Sequence, residues 1–307
     1  MRTIQKSLFI GVIWWGISCN YSPQISTGLE TIVLSDETMK EQKIKLSHFA
    51  EKIQYIFLET NDESVISKID KILFHKEFCI VMDGKLSAIL VFDTTGHFIR
   101  KIDHHGNGPG EYLKLTDITV SEDGCIHVLD SEQSKMLHYS LTGTWVSESS
   151  HFPERSRRIA PLGDEYLVTW APRGQFVHNH HHSLAVYNQK DQKINRMVDR
   201  SSERLTEKDA WKMPFYSASV LDRYVDTLTY WEFRYDTVYR IIDANTCIPR
   251  YYLEYADKMP MDVFYASPEA KNYTNIRYYV ETDNYIFFYM SHHNKPTQIV
   301  YDKKEKT

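Results

Sequence analysis

The chain has 307 residues, of which 42% are hydrophobic and 25% charged, proportions typical of a soluble protein with one large domain or two smaller ones. Its formal net charge is −5 and no basic stripe runs along it, which excludes nucleic acid from the predicted partners. The 21 tyrosines, 14 phenylalanines and 6 tryptophans favour β-strands and rigid contact surfaces, so the composition indicates a β-rich binding protein.

The first residues are typical of an export signal. Arg2 and Lys6 precede an apolar stretch of about 11 residues, positions 8–18, which is too short to span a membrane. The sequence that follows is polar and rich in small residues. We therefore predict a signal peptide over residues 1–18.

Cys19 directly follows a small residue, Ser18, and this order resembles the bacterial lipoprotein motif, in which the cysteine becomes the lipidated N-terminus. Gly16 departs from that motif, which prefers leucine at its position. We predict lipidation at Cys19, a flexible tether over residues 19–30 and a location in the cell envelope, with membrane contact through the lipid anchor alone. The alternative is an ordinary cleaved signal followed by an incidental cysteine.

Three cysteines remain, Cys79, Cys125 and Cys247, and no two of them form a CxxC pair. An odd number without that spacing predicts neither a disulfide framework nor a zinc site. Cys79 and Cys125 lie in apolar runs, where a thiol behaves as a small hydrophobic group. We therefore predict structural roles for all three cysteines and no cofactor for the protein.

Two segments of the chain align without a gap at an offset of 47 residues. The first begins at Lys71 and reads KILFHKEFCIVMDGKLSAILVFDTTGHFIRKI. The second begins at Ile118 and reads ITVSEDGCIHVLDSEQSKMLHYSLTGTWVSES, so that Gly96 falls on Gly143. Each copy consists of short apolar runs separated by polar turns, which predicts one four-stranded antiparallel meander per copy.

An aromatic residue on the third run of each copy marks further copies along the chain. The spacings between successive markers are 47, 48, 52 and 62 residues. The markers are Phe92, Tyr139, Tyr187, Tyr239 and Tyr301. A four-stranded unit that repeats every 40 to 50 residues or so is typical of a β-propeller blade. We predict an all-β fold with a β-propeller over residues 31–307; a β-sandwich with similar strands is the alternative.

The stretch VFDTTGHFIRKIDHHGNGPGEYLKLTDITVSEDGCIHVLD, residues 91–130, resembles the NHL-type propeller repeat. IKLSHFAEKIQYIFLET and TYWEFRYDTVYRI extend the likeness, over roughly residues 31–307, to a family of six-bladed β-propeller lipoproteins of anaerobic gut bacteria. This resemblance implies six blades and a lipid-anchored position. It implies no reaction, because activities in that family are largely unassigned.

The sequence itself contains five recognisable blades. Three apolar runs before the first blade, at residues 31–34, 44–46 and 53–58, are expected to supply one to three strands of the sheet that closes the propeller. We therefore predict a six-bladed type whose last blade is incomplete or is closed by these N-terminal strands. Truncation of the chain is the alternative.

The cluster GNGPGEY, with Gly106, Gly108 and Gly110, invites comparison with a phosphate-binding loop. Such a loop needs G-x-G-x-x-G between a strand and a helix, so that backbone N–H groups reach the phosphate. Here the third glycine comes one residue early, Pro109 has no N–H, and the following sequence reads as strand. Residues 108–111 suit a type II turn, with proline second and glycine third. We predict a structural turn between two blades.

Asp83 and Asp130 occupy equivalent positions, each at the end of the second run of its copy. Aspartate commonly accepts hydrogen bonds from backbone N–H groups at turns, which is the predicted role here. A carboxylate near the central channel, available to a metal or substrate, is the alternative.

The stretch FVHNHHHSL contains His178, His180 and His182, alternate residues that share one face if the stretch is a strand. Three imidazoles on one face are candidate metal ligands. The stretch contains no aspartate or glutamate, however, and a solvated loop is the simpler interpretation.

Two stretches, TWAPRGQ and TYWEFRY, concentrate aromatic and arginine side chains. Such side chains recognise glycans and peptides through stacking and charge-assisted hydrogen bonds. The predicted ligand-binding residues are Trp170, Arg173, Tyr230, Trp231, Arg234 and Tyr235. Because alternate strand residues enter the core, core packing is the alternative for each of them.

The sequence contains no GxSxG, HExxH, EF-hand or Walker-type motif. We therefore predict a non-enzymatic, lipid-anchored extracytoplasmic propeller that binds a protein, peptide or glycan on one face. A propeller hydrolase or lyase with a metal or carboxylate site at the central channel is one alternative. An inactive copy is another.

The lipoprotein hypothesis predicts the behaviour of one variant. Cys19→Ala removes the thiol to which the lipid would be attached, so the variant is expected to leave the detergent phase in Triton X-114 partitioning, while a Cys247→Ala control stays in it. Equal partitioning of the wild type and Cys19→Ala would contradict lipidation at this residue.

Overall fold

The computed structural model describes residues 10–11, 28–35, 38, 44–153, 156–170, 182–199, 219–224, 227–260, 263, 267–293 and 295–307. In these ranges the regular structure is β-strand apart from two short 3₁₀ turns, Leu46–His48 and Pro268–Asn272. None of the described residues belongs to a helix long and apolar enough to cross a membrane.

The chain divides into two compact units. Unit 1 consists of residues 1–26, 41–130 and 136–148. Unit 2 consists of residues 27–40, 131–135 and 149–307. Cys19, and nearly all of the predicted signal and tether, lie outside the described residues.

Three short strands come before the larger sheets: β1 (Ile10–Gly11), β2 (Glu30–Leu34) and β3 (Gln54–Tyr55). β1 and β3 pair with each other in antiparallel orientation. β2 belongs to unit 2.

Unit 1 contains two four-stranded sheets whose strands follow one another in chain order. Sheet 1 consists of β4 (Lys71–His75), β5 (Phe78–Asp83), β6 (Ala88–Asp93) and β7 (Phe98–Ile102). Sheet 2 consists of β8 (Leu115–Val120), β9 (Ile126–Asp130), β10 (Lys135–Tyr139) and β11 (Trp145–Ser149). The two sheets are the two copies that align in the sequence.

Unit 2 contains three sheets with the same order of strands. Sheet 3 consists of β12 (Arg158–Leu162), β13 (Tyr166–Trp170), β14 (His182–Asn188) and β15 (Ile194–Asp199). Sheet 4 consists of β16 (Ser219–Tyr224), β17 (Thr227–Glu232), β18 (Thr237–Ile241) and β19 (Cys247–Tyr255), and β2 lies beside β19. Sheet 5 consists of β20 (Asn275–Glu281), β21 (Tyr285–His292) and β22 (Lys295–Asp302).

The middle strands of the sheets carry apolar side chains on both faces, because each face packs in a hydrophobic core. In β5, Ile80 and Met82 enter a core shared with sheet 2, whereas Cys79 and Val81 enter a second core on the opposite face. Leu58, from the leading segment, packs against that second core. A strand buried on both sides reads as a continuous hydrophobic run rather than as an alternating one.

Successive sheets also approach one another through their first strands. In unit 1 β4 lies near β8, and in unit 2 β16 lies near both β12 and β20. All five aromatic markers lie on third strands, β6, β10, β14, β18 and β22, as predicted. Repeated meander sheets that stack face to face and meet at their first strands are the blades of a β-propeller.

The expectation of six blades is wrong for the described residues, which contain five. The leading strand β2 does not close the last blade, because it pairs in parallel with β19 and becomes a fifth strand of sheet 4. Its Ile32 and Leu34 enter the core shared by sheets 4 and 5, which explains its position. Among the described residues, sheet 5 has three strands.

The glycine cluster forms a turn whose donors are occupied by protein carboxylates. The Glu111 N–H donates to the Gly108 carbonyl at 3.1 Å and Gly110 has φ of +71°, the geometry of a type II turn. The Gly108 N–H donates to the Glu111 carboxylate at 2.8 Å, and the Gly110 N–H donates to the Glu148 carboxylate at 2.7 Å. With these donors in use, the turn offers no phosphate cradle.

The two equivalent aspartates hold the segment that leads into each first strand. Asp83 accepts the N–H groups of Ser67 at 2.6 Å and Lys68 at 3.0 Å, and with its other oxygen two further N–H groups in the β5–β6 turn. Asp130 accepts the N–H of Leu113 at 2.7 Å. These hydrogen bonds lower the pKa of Asp83 despite its burial, so its carboxylate remains charged.

Gly96 is predicted to be indispensable at its turn. Its φ is +96°, its carbonyl accepts the Glu59 N–H, and an added Cβ would come within 2.1 Å of the Phe57 carbonyl oxygen. Gly96→Ala is therefore expected to lower the free energy of unfolding by roughly 2–4 kcal/mol in urea denaturation.

Gly163→Ala is the matched control for Gly96→Ala. Gly163 also has positive φ, +63°, but an added Cβ meets no atom within 4 Å. The control should lose only the backbone preference, about 1 kcal/mol. Equal losses in the two variants would show that contact with the leading segment contributes nothing.

Candidate functional site

The predicted aromatic set packs the interior. Tyr230 and Trp231 are consecutive residues of β17 and are both fully buried. Because successive side chains of a strand point to opposite faces, Tyr230 enters the core between sheets 3 and 4 and Trp231 the core between sheets 4 and 5. Trp170 lies in the same core as Tyr230, and Tyr235 is also buried. These four side chains therefore form no exposed surface.

Of the two predicted arginines, the structure describes Arg234 alone, and its side chain holds a neighbouring loop. Arg234 has φ of +73° in the turn after β17, and its guanidinium donates to the carbonyls of Pro260 and Val263. Arg173 lies outside the described residues, as do His178 and His180. His182 is the first residue of β14 and lies opposite Asp199 of β15.

An exposed surface that combines aromatic and charged side chains occurs instead on the first strands of sheets 4 and 5. We call it the first-strand surface. It consists of Asp222 and Tyr224 of β16 with Arg277 and Tyr278 of β20. Tyr278 is 56% exposed and is the only aromatic among the strongly exposed apolar side chains that the structure describes in unit 2. β16 and β20 are neighbouring strands, so the two halves of this surface adjoin.

A β-bulge in β20 produces this exposure. The pairing of β20 with β21 shifts register between Ile276 and Tyr278, leaving Arg277 as the extra residue. A bulge interrupts strict alternation, so the consecutive side chains Arg277 and Tyr278 both reach the surface. Tyr279 then returns to the interior. The sequence NIRYYVE does not reveal the bulge, which is why sequence analysis missed these residues.

Charge at the first-strand surface keeps the Tyr278 hydroxyl protonated. Partial burial of the ring and the nearby carboxylate of Asp222 both raise the pKa of Tyr278. The side chain thus offers a ring face for stacking and an O–H donor at its tip. Arg277, the exposed residue before it on β20, adds positive charge and planar N–H donors.

A buried ionic network supports this surface from below. We call it the Glu281 network. The Glu281 carboxylate, 2% exposed, accepts Lys303 Nζ at 2.9 Å and lies 3.4 Å from an Arg240 guanidinium nitrogen. It also accepts the hydroxyls of Tyr251 at 3.2 Å and Tyr279 at 3.0 Å. Burial and the carboxylate together raise the pKa of both tyrosines, so both remain donors.

The Glu281 network positions Tyr224 of the first-strand surface. Lys303 Nζ donates to the Tyr224 hydroxyl at 2.8 Å, and the Arg240 guanidinium carbon lies 4.9 Å from the centre of its ring. The network holds two cations against one carboxylate, and Arg240 Nε is buried without a hydrogen-bond partner. Excess positive charge below the surface favours a ligand that carries hydroxyl or carboxylate oxygens.

A separate polar cluster lies at the end of sheet 5. His293 Nε2 lies 3.0 Å from an Asp257 carboxylate oxygen, and His292 Nδ1 lies 2.6 Å from the Thr274 hydroxyl. Asp257 and both histidines have ligand atoms within 4.8 Å of one another. Asp257 and His293 are about half exposed, so hydrogen bonding in water accounts for the cluster without a bound ion.

Solved structures share the fold. A protein of Bacteroides fragilis NCTC 9343 described as exported aligns with a TM-score of 0.70 at 17% identity, covering 90% of this chain and 78% of that one. A DUF4221 family member from Bacteroides vulgatus ATCC 8482 aligns with a TM-score of 0.55 at 12% identity, covering 79% of this chain and 81% of that one. Together with the repeated sheets, these likenesses define the chain as a β-propeller protein.

The family follows from the sequence match. Residues 29–307 match the family described as "Domain of unknown function (DUF4934)", and the chain belongs to that family. No curated protein matches the chain.

We predict that removing the charge of Glu281 strongly lowers the free energy of unfolding. Glu281→Gln leaves Arg240 and Lys303 buried without their counter-charge, which should lower the free energy of unfolding by about 3 kcal/mol or more in urea denaturation. Glu254→Gln, at an exposed position of β19 in the neighbouring sheet 4, is the matched control and should change it by less than about 0.5 kcal/mol. A loss below about 1 kcal/mol for Glu281→Gln would show that the network is not a buried ionic unit.

Proposed function

We propose that this protein is a non-enzymatic, exported binding protein whose first-strand surface holds a peptide, a glycan or an exposed segment of a protein. Its location is the cell envelope, with the lipid anchor at Cys19. The N-terminal sequence supports export and anchoring, and the description of the similar Bacteroides fragilis protein as exported supports the same location. We also propose that the blades are propeller repeats of the NHL type.

The observation that carries the proposal is the exposure of Tyr278 beside charged side chains. A tyrosine that is 56% exposed on a first strand leaves a ring face in water, although the other aromatic side chains of β20 and β21 pack inward or lie partly buried. Rigid aromatic rings bind ligands at a small cost in conformational entropy. The nearby carboxylate of Asp222 supplies an acceptor, and Arg277, the exposed residue before Tyr278, supplies donors.

The Glu281 network holds part of the first-strand surface in place, so that a ligand can bind with little rearrangement of the protein. Tyr224 is held by Lys303 and Arg240, which are themselves held by the buried carboxylate of Glu281. Side chains locked in this way lose little freedom when a ligand arrives. The oxygen-rich groups of a sugar or a peptide match the donors that surround Tyr278.

The test is binding of the full chain to oligosaccharide and peptide arrays, followed by calorimetry with the strongest component. Tyr278→Ala should weaken that binding at least about tenfold, because the ring provides the central contact. Tyr278→Phe, which keeps the ring, should retain most of the affinity. Tyr55→Ala removes a tyrosine of similar exposure in unit 1 and serves as the control.

Two outcomes would overturn the proposal. One is an array on which the wild-type protein retains no component. The other is Tyr278→Ala binding as tightly as Tyr55→Ala, which would place the ligand elsewhere on the protein.

A further inference from the structure

Sheet 2 brings a thiol and two imidazoles together. Cys125 directly precedes β9, His127 lies within β9, and His138 lies on the adjacent strand β10. The Nδ1 atoms of the two histidines are 2.9 Å apart, and Cys125 Sγ lies 3.9 Å from His138 Nδ1. One ligand atom from each residue lies within 4.8 Å of the others. This cluster lies in unit 1 and shares no residue with the first-strand surface.

Hydrogen bonding around His127 determines which of its nitrogens carries the proton. The Ser121 hydroxyl lies 2.5 Å from an Asp123 carboxylate oxygen and 3.2 Å from the Cys125 carbonyl, and neither of these oxygens can donate. The single hydroxyl proton of Ser121 is therefore used on an acceptor. Its oxygen must then accept from His127 Nε2, which lies 3.1 Å away.

This assignment leaves a lone pair on His127 Nδ1, which lies 2.9 Å from His138 Nδ1. A metal-binding histidine typically donates its other ring N–H to a fixed acceptor, which orients the imidazole and sets its tautomer. Ser121, held by Asp123, provides that acceptor here. The arrangement is therefore prepared to use Nδ1 as a ligand atom.

We propose that Cys125, His127 and His138 form a binding site for a cation of the Zn²⁺ class. Thiolate and imidazole are the ligands that Zn²⁺ prefers, with Zn–S of about 2.3 Å and Zn–N of about 2.0–2.1 Å. A tetrahedral site with those bond lengths separates two nitrogens by about 3.3 Å, and sulfur from nitrogen by about 3.6 Å. The observed separations of 2.9 and 3.9 Å differ from these values by only a few tenths of an ångström.

A fourth ligand position has a candidate in the neighbouring sheet. His75, the last residue of β4, has a buried Nε2 with no hydrogen-bond partner. This nitrogen lies 3.7 Å from the place where a Cβ on Gly124 would be, one residue before Cys125. His75 does not belong to the group of ligand atoms that lie within 4.8 Å of one another, so its ring would have to move closer to bind the same cation. Water is the other possible fourth ligand.

The simplest alternative is a metal-free hydrogen bond in which His138 Nδ1–H donates to His127 Nδ1. That bond would also account for the 2.9 Å separation. It requires no thiolate, whereas the proposed site does. A spectroscopic signal that depends on the Cys125 sulfur therefore distinguishes the two.

The test is a titration of the full chain, reduced and treated with a chelator, with Co²⁺, which enters zinc sites and absorbs light. The expected result is one saturable site per chain with a thiolate-to-cobalt charge-transfer band that Zn²⁺ abolishes on addition. Cys125→Ser should remove the band and weaken Co²⁺ binding at least about 100-fold. Cys247→Ser, a change at a partly buried cysteine of sheet 4, should leave both unchanged.

Further variants separate this site from other histidine clusters. Ser121→Ala should weaken binding about 10- to 100-fold while keeping the charge-transfer band, because it removes only the group that orients His127. Changing Asp257 and His293 together to alanine, or His178, His180 and His182 together, should leave the band intact. Circular dichroism of each metal-free variant checks that the fold is retained, and His138→Gln, at a partly buried residue, is the second ligand variant should Cys125→Ser not fold.

Three results would overturn the proposal. The first is wild-type protein that gives no charge-transfer band with Co²⁺, which would leave only the hydrogen-bonded histidine pair. The second is a band that persists in Cys125→Ser. The third is a folded His138→Gln variant that binds Co²⁺ with wild-type affinity.

Discussion

Burial of both faces of each sheet is the constraint on which the structure depends. A strand directs alternate side chains to opposite faces, so an isolated sheet with two apolar faces leaves both of them in water. Stacking the sheets removes that surface, and β17 shows the result, with Tyr230 in one core and Trp231 in the next. The same requirement explains why Leu58 packs on the face of sheet 1 opposite sheet 2 and why β2 extends sheet 4.

Stacked sheets leave turns whose backbone groups need partners, and carboxylates supply many of them. Asp83 holds the segment that leads into β4, Asp130 does so for β8, and Glu111 and Glu148 occupy the donors of the glycine turn. An unpaired buried N–H group costs free energy comparable to a lost hydrogen bond. These four carboxylates therefore stabilise the turns of the blades.

Both proposed sites consist of polar side chains that lie outside the apolar cores between stacked sheets. On β20, a bulge brings Arg277 and Tyr278 to the surface together, and Glu281 anchors the charges below. In sheet 2, the turn before β9 places a thiol beside two imidazoles from adjacent strands. Neither arrangement is needed to cover an apolar face, so packing alone does not explain either of them. The first presents an open surface to a ligand, whereas the second is enclosed and suits a small cation.

The sequence by itself determined what is local: the repeated meander, the aromatic residue on each third strand and the proline-glycine turn. These depend on strand periodicity and on the backbone preferences of single residues. Only the tertiary structure decided that Trp231 is buried and Tyr278 exposed, because both lie in strands rich in aromatic residues and only neighbouring sheets and a bulge distinguish them. It also decided that β2 joins β19, since pairing between segments far apart in the chain leaves no local sequence signal. That His138 meets His127 depends on the register of two consecutive strands, which the meander pattern alone does not fix.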